Sequence, residues 1–165
     1  MFDCSDPQMF KCSIVKQYVF LRMTIRKAES RDIPQVFELL KTFSVFIRTP
    51  EKVKVTADKL REDLGHFNCL VAEQDGIIVG YAAYYFAYYS WTGKAIYLDD
   101  LYVTDEFRKQ GVGTMLFDAI TALGREENCY KMQWQVSKWN ERAIKFYERK
   151  GASIDDVECN AFLKL

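Results

Sequence analysis

Residues 97–114 read YLDDLYVTDEFRKQGVGT. Tyr97 to Val103 has the aromatic and branched side chains of a strand. A short polar loop follows. Gly111-Val112-Gly113 then opens a helix, in which Val112, Met115, Leu116, Ala119, Ile120 and Leu123 recur on one side as far as Asn128. Glycine permits positive φ and close approach of the backbone to a ligand. The first N–H groups of a helix lack intrahelical partners, and the helix dipole stands behind them, so such an end can bind phosphate. Arg108 and Lys109 place positive charge beside it. Taken alone, a lone Gly-x-Gly favours a plain strand-to-helix turn. It is neither of two familiar phosphate motifs. The nucleoside-triphosphate loop is absent, and the third glycine position of the dinucleotide fingerprint is Leu116.

The flanking sequence extends this pattern in both directions. Upstream, Thr24–Ala28 reads as a strand. Ser30 or Asp32 can cap a helix with Pro34 in its first turn, and that helix runs to about Phe46. Thr56 caps a second, short helix stopped by Gly65. Phe67–Glu73 and Ile77–Tyr89 are strands joined by a turn at Asp75-Gly76. Trp91–Lys94 turns the chain into the strand that starts at Ala95. Downstream, Lys131–Val136 reads as a strand, Asn140 caps the helix ERAIKFYERK, Gly151 closes it, and a last strand lies near Ala161–Leu165. The order β-α-α-β-β-β-α-β-α-β predicts one α/β domain with a mixed sheet.

Residues 1–22 stand apart, and we expect them to form a poorly ordered extension before a domain at 23–165. The apolar stretch Ile14–Leu21 is broken by Lys16 and Gln17 and lacks a small-residue cleavage site, so it fails as a signal peptide. Asp3 and Asp6 make it a poor mitochondrial presequence.

Composition removes several classes of function. The 165 residues carry 23 basic and 23 acidic side chains, a net charge of zero, which argues against a nucleic-acid or membrane-surface binder. The five cysteines (4, 12, 69, 129 and 159) are odd in number and contain no Cys-x-x-Cys pair, so a disulfide framework or zinc site is not expected. The single histidine, His66, lies beside Gly65 in what reads as a loop. No metal is expected, and reduced cysteines point to the cytoplasm.

Arg108-Lys109-Gln110-Gly111-Val112-Gly113 resembles the Arg/Gln-x-x-Gly-x-Gly/Ala signature of the GCN5-related N-acetyltransferase (GNAT) superfamily. YYFAYYSWTGKAIYLDDLYV and WNERAIKFYERKGAS are similar to the corresponding stretches of its spermidine/spermine (diamine) and thialysine acetyltransferase branch. The likeness runs from about Thr24 to Leu165. It implies a mixed, mostly antiparallel sheet flanked by helices, with splayed central strands, and acetyl-coenzyme A as co-substrate. It implies that Leu101, Tyr102 and Val103 pair with the pantetheine amides. Arg108, Lys109, Gln110, Gly111, Val112, Gly113 and Thr114 would hold the pyrophosphate. Asn140, Glu141, Arg142 and Ala143 would flank the thiol arm. Tyr147 stands where the family protonates the leaving thiolate, and Asp99 where the polyamine enzymes carry the glutamate that deprotonates the amine. Phe46, Ile47, Asp99, Gln133, Trp134, Gln135 and Glu158 would line the acceptor slot. A small-molecule amine partner and a homodimer are also implied.

The chemistry is direct attack. An alkyl amine with pKa ~10.4 is mostly protonated at neutral pH and must lose a proton before it attacks. No acetyl-enzyme is needed once amine and thioester are aligned. Each assignment has a plainer counterpart. Tyr147 falls at helical spacing with Ala143 and Ile144 and can be core. Asn140 caps its helix whatever else it does. The tyrosines of 81–89 can be sheet packing. Asp99 and Asp100 are adjacent on a strand, so at most one is expected to face the site. The stretch Val45-Phe46-Ile47-Arg48 is apolar and then basic where the polyamine branch is acidic, which favours a lysine-like amino acid over a long polyamine. Acetylation of protein N-termini or lysines, and acyl-coenzyme A binding without catalysis, are the alternatives.

Overall fold

The computed structural model describes residues 23–155. A five-stranded sheet in the order β1-β2-β3-β4-β5 organises it: β1 is Thr24–Lys27, β2 Asn68–Gln74, β3 Ile77–Tyr89, β4 Gly93–Val103 and β5 Lys131–Gln133. The first four strands are antiparallel neighbours, and β5 joins β4 in parallel. The helices are α1 (Ile33–Phe46), α2 (Ala57–Glu62), α3 (Val112–Glu126) and α4 (Glu141–Arg149). The expected last strand near Ala161–Leu165, residue Glu158 and the extension 1–22 lie outside the described residues.

Local chemistry accounts for the elements. At Asp75-Gly76 both residues have positive φ (53° and 81°), the geometry of the tightest hairpins. Thr56 accepts a hydrogen bond from the Lys59 N–H at 3.1 Å and starts α2. Before α1 the cap is Asp32, whose Oδ2 accepts the Glu29 N–H at 2.7 Å. Arg26 of β1 donates to both oxygens of the same carboxylate, at 2.6 and 2.9 Å, and to Glu73 of β2 at 2.7 Å. That ion group fastens the start of α1 to the sheet.

Alternating side chains give the sheet two covered faces. Cys69, Val71, Tyr81, Ala83 and Tyr102 pack with Val36 and Leu39 of α1. Ala72, Ala82, Tyr84, Ile96 and Leu98 pack with Val112, Leu116, Phe117 and Ile120 of α3 and with Tyr147 of α4. Tyr81 and Tyr84 of β3 thus go to different cores, while Tyr85 and Tyr88 are exposed.

Two departures from the expected pattern shape the site. First, β5 is shorter than the expected Lys131–Val136. It pairs only Lys131–Gln133 against Ala95–Tyr97, and the chain then turns away toward the cap of α4. From Leu98 to Val103, the strand partner on that edge of β4 is gone. Second, β4 carries a bulge. Leu98 opposes Tyr84 and Asp100 opposes Ala83, so Asp99 has no partner on β3. The extra residue inverts the alternation. Before it, Ile96 and Leu98 face α3. After it, Val103 faces α3 and Tyr102 faces α1.

Candidate active site

Where β4 and β5 part, a cleft of about 1240 Å³ opens between α1, β4 and the start of α4. Its floor is the unpaired edge of β4, from Leu98 to Val103. One wall is the end of α1 and the segment to α2, including Phe46, Ile47, Lys52 and Lys54. Trp134, Gln135, Asn140, Arg142, Ala143 and Tyr147 form the other. Lys109, Gly111, Gly113 and Thr114, at the beginning of α3, also line the cleft.

The start of α3 has the geometry an anion needs. Gly111 is left-handed (φ 85°), and so is Lys109 (φ 64°). An alanine Cβ at Gly111 would meet nothing within 4 Å, so backbone conformation rather than crowding calls for glycine there. The left-handed turn brings the first N–H groups of this 15-residue helix to the cleft, with its positive dipole end. The residues present therefore fit a diphosphate.

Arg108 has a different task from its neighbours. Its Nε donates to the Val103 carbonyl at 2.9 Å, Nη1 meets Asp105 at 2.5 Å, and the guanidinium lies over the Phe46 ring at 4.8 Å. It ties the end of β4 to the end of α1 as well as lining the cleft. Gln110 turns back to the Glu106 carbonyl at 2.7 Å. Val112 is buried in the core. Glu141 is exposed beside Lys145. Gln110, Val112, Glu141 and Gln133 do not line the cleft, and the other described residues expected there do. The side chain of Asn140 caps α4 by accepting the Ala143 N–H at 3.2 Å.

Tyr147 is both core and site. Its ring packs against Trp134 (4.8 Å between centroids), Phe146 (5.3 Å) and Phe117 (5.8 Å), while the residue also borders the cleft. Burial, and secondarily the Asp100 carboxylate, push its phenol up to about 12. The hydroxyl therefore keeps its proton throughout the neutral and mildly alkaline range.

The carboxylates require a correction. Strict alternation would put Asp99 and Asp100 on opposite faces, yet both line the cleft. The bulge is the reason, because it places both on the α1 side of the sheet. Asp99 is exposed, and desolvation still raises its carboxyl above the usual range. Asp100 sits deeper and accepts the hydroxyl proton of Tyr81 at 2.9 Å. Burial, then the charge of Asp99, raise Asp100 to about 6 against the opposing effect of that hydrogen bond.

Sequence reasoning missed Asp100, Lys52 and Lys54. The two aspartates were visible as a pair, but no residue type announces a bulge. Lys52 and Lys54 looked like ordinary loop charges. Arg48, which would oppose a polycation if it faced the slot, lies over Trp139 at 4.7 Å and is not among the residues that line it. Among the described residues, no group of three or more His, Cys, Asp or Glu side chains is placed to hold a metal ion, and no helix is long and apolar enough to cross a membrane.

The sequence profile of the Acetyltransferase (GNAT) family matches residues 33–152. The chain belongs to that family. Within the GNAT family, it is 33% identical over 140 residues to a thialysine N-epsilon-acetyltransferase from Mus musculus, covering 78% of this chain and 82% of that protein. It is 34% identical over 139 residues to a human spermidine/spermine N(1)-acetyltransferase-like protein 1, covering 78% of this chain and 20% of that longer protein. Its fold matches a crystallised aminoglycoside acetyltransferase from an uncultured soil metagenomic sample. The TM-score is 0.73 at 22% identity, covering 86% of this chain and 97% of the other. This GNAT protein is an acyltransferase with the mixed sheet of its family.

Proposed function

We propose that the protein transfers the acetyl group of acetyl-coenzyme A to a primary amine of a small molecule, either a diamine or polyamine or a lysine-like amino acid such as thialysine. The observation that carries this reading is the splay of β4 from β5. It leaves the edge Leu98–Val103 without a strand partner on that side, in one cleft with the opened end of α3, two carboxylates and Tyr147. When bound, the co-substrate supplies an acetyl group activated as a thioester. Leu101, Tyr102 and Val103 offer backbone groups to its amide-bearing arm. Lys109 to Thr114 take its diphosphate, and Asn140 to Ala143 flank its thiol end.

Asp99, at the open side of the cleft, draws the acceptor ammonium inward and passes its proton on to solvent. Tyr147 is the general acid, whose Oη proton goes to the leaving sulfur. The amino-acid acceptor is favoured within the class, because Lys52 and Lys54 on the acceptor wall oppose a long polycation and suit a carboxylate. A cytoplasmic setting fits the unpaired thiols Cys69 and Cys129. A homodimer is part of the proposal, and light scattering checks it.

The test combines the protein, acetyl-coenzyme A and a panel containing diamines, spermidine, lysine, ornithine and thialysine, with free thiol as the readout. Thiol release that requires both protein and amine is expected. A calorimetric titration in which the folded protein takes up no acetyl-coenzyme A would overturn the reading whatever the acceptor.

A further inference from the structure

Asp100 was not one of the residues the sequence placed in the site, yet its surroundings are the most specialised in the cleft. The bulge at Asp99 turns it to the α1 face. There the fully buried Tyr81 of β3 donates its hydroxyl proton to Oδ2 at 2.9 Å. The groups that face it electrostatically are Asp99 on its own strand, Tyr81 on β3, Cys69 on β2 and Tyr147 on α4. No cation is among them. Burial holds the Cys69 thiol and the Tyr81 phenol far above their ordinary values, and Tyr147 is pushed up to about 12. These three groups therefore stay uncharged through the neutral range.

We propose that Asp100 is a second catalytic carboxylate, which accepts the proton of the acceptor ammonium, and that Tyr81 is the positioning residue that fixes its reactive oxygen. The inference rests on the acetyl-transfer reading above and adds a residue to it. The proton count requires an acceptor beside the ammonium. Between ammonium and amide, the acceptor nitrogen loses two protons. The first goes to a carboxylate and frees the lone pair that forms the N–C bond. The second leaves as the C–S bond breaks, and replaces the proton that Tyr147 gives to sulfur. One proton per turnover therefore returns to water from the carboxylate, and exposed Asp99 stands on that route.

An ordinary carboxyl near ~3.9 holds a proton from a ~10.4 ammonium roughly a millionfold too weakly. A carboxyl raised to about 6 is more favourable by roughly a hundredfold. The Tyr81 hydroxyl bonds Oδ2 and leaves Oδ1 for the acceptor. Asp99 contributes by repulsion, since its charge helps to raise Asp100.

Two readouts test this on the full chain. The first needs neither substrate. In the protein alone, the side-chain carboxyl 13C resonance lost in Asp100→Asn should titrate with a midpoint near 6. That midpoint should move down in Asp99→Asn, where the repelling charge is gone. It should move up in Tyr81→Phe, where the bond that favours the charged form is gone. The second is kcat against pH with the best amine of the panel. The acid limb should follow the same midpoint, shift in the same two directions in Asp99→Asn and Tyr81→Phe, and vanish in Asp100→Asn with kcat reduced roughly a hundredfold. A resonance midpoint near 4 for Asp100 overturns the proposal. So does an acid limb that survives in Asp100→Asn and vanishes in Asp99→Asn. A wild-type protein that releases no thiol with any amine defeats the acetyl-transfer reading, and this inference with it. An active wild type beside an Asp100→Asn protein that keeps its limb defeats this inference alone.

Discussion

Replacing Tyr147 by Phe removes one oxygen and leaves the ring. That ring is held by Trp134, Phe146 and Phe117 at centroid distances of 4.8, 5.3 and 5.8 Å, so packing survives the change. Stability should fall by less than about 1 kcal/mol, a melting shift of at most roughly 4 °C for a chain of this size. The catalytic loss should be much larger. The Tyr147 phenol sits at about 12 and an ordinary thiol near ~8.5, so a completed transfer to sulfur would run uphill by about 3.5 units, or ~5 kcal/mol. Donation must therefore be coupled to loss of the second nitrogen proton. In the proposed reaction Tyr147 is a donor aimed at charge as it develops on sulfur. A single donor of that kind is worth about 3 to 4 kcal/mol, or roughly 10² to 10³ in kcat. Thiol release under saturating amine gives kcat, and calorimetry gives the affinity for acetyl-coenzyme A, which should change less than about twofold. The deficit should be the same at pH 7 and pH 9, because the phenol stays protonated at both. A kcat within threefold of wild type would refute the reasoning. So would a kcat loss matched by an equal loss of affinity, or a deficit that disappears at pH 9.

Three further outcomes can be measured. Gly111→Ala must hold φ 85° with a side chain or abandon that conformation, a cost of ~1–2 kcal/mol, so acetyl-coenzyme A should bind roughly 5- to 30-fold more weakly by calorimetry; unchanged affinity would mean the turn plays no part in binding. Arg26→Met strands the buried Asp32 carboxylate and should cost about 3 kcal/mol in urea unfolding at pH 7. Because the Arg26 hydrogen bond holds Asp32 below the usual carboxylate range, this contribution is complete above pH ~4 and lost as the pH falls through the lowered folded value, so the gap between variant and wild type should close in acid; a gap independent of pH would assign the loss to packing. The double change Lys52→Glu and Lys54→Glu should raise kcat/KM for spermidine relative to thialysine by about tenfold, and an unmoved ratio would remove these lysines from acceptor selection.

Much of the fold was legible because its signals are local. The turn at Asp75-Gly76, the caps Thr56 and Asn140, and the apolar stripe of α3 each announce themselves over a few residues. The signature at 108–113 located the opened helix end for the same reason, since left-handed φ at Gly111 is a property of one residue and its neighbours. The site was legible only in part. Gln110 and Glu141 lie in matching motifs but point elsewhere, and a motif does not state where a side chain turns.

The sequence by itself determined the order of elements, the place of the glycine turn that opens α3 and the presence of a tyrosine on α4. The tertiary structure alone decided what the cleft contains. The bulge exists because the pairing of β3 with β4 skips Asp99, a relation between residues far apart in the chain. The splay exists because β5 pairs for three residues and then leaves. Those two non-local events bring adjacent aspartates to one face, set Tyr81 beneath the deeper one, and leave the edge of β4 open to the cleft. Hydrophobic periodicity reports which face of one strand is apolar. It carries no information on where a neighbouring strand ends or slips, and the chemistry of this site depends on both.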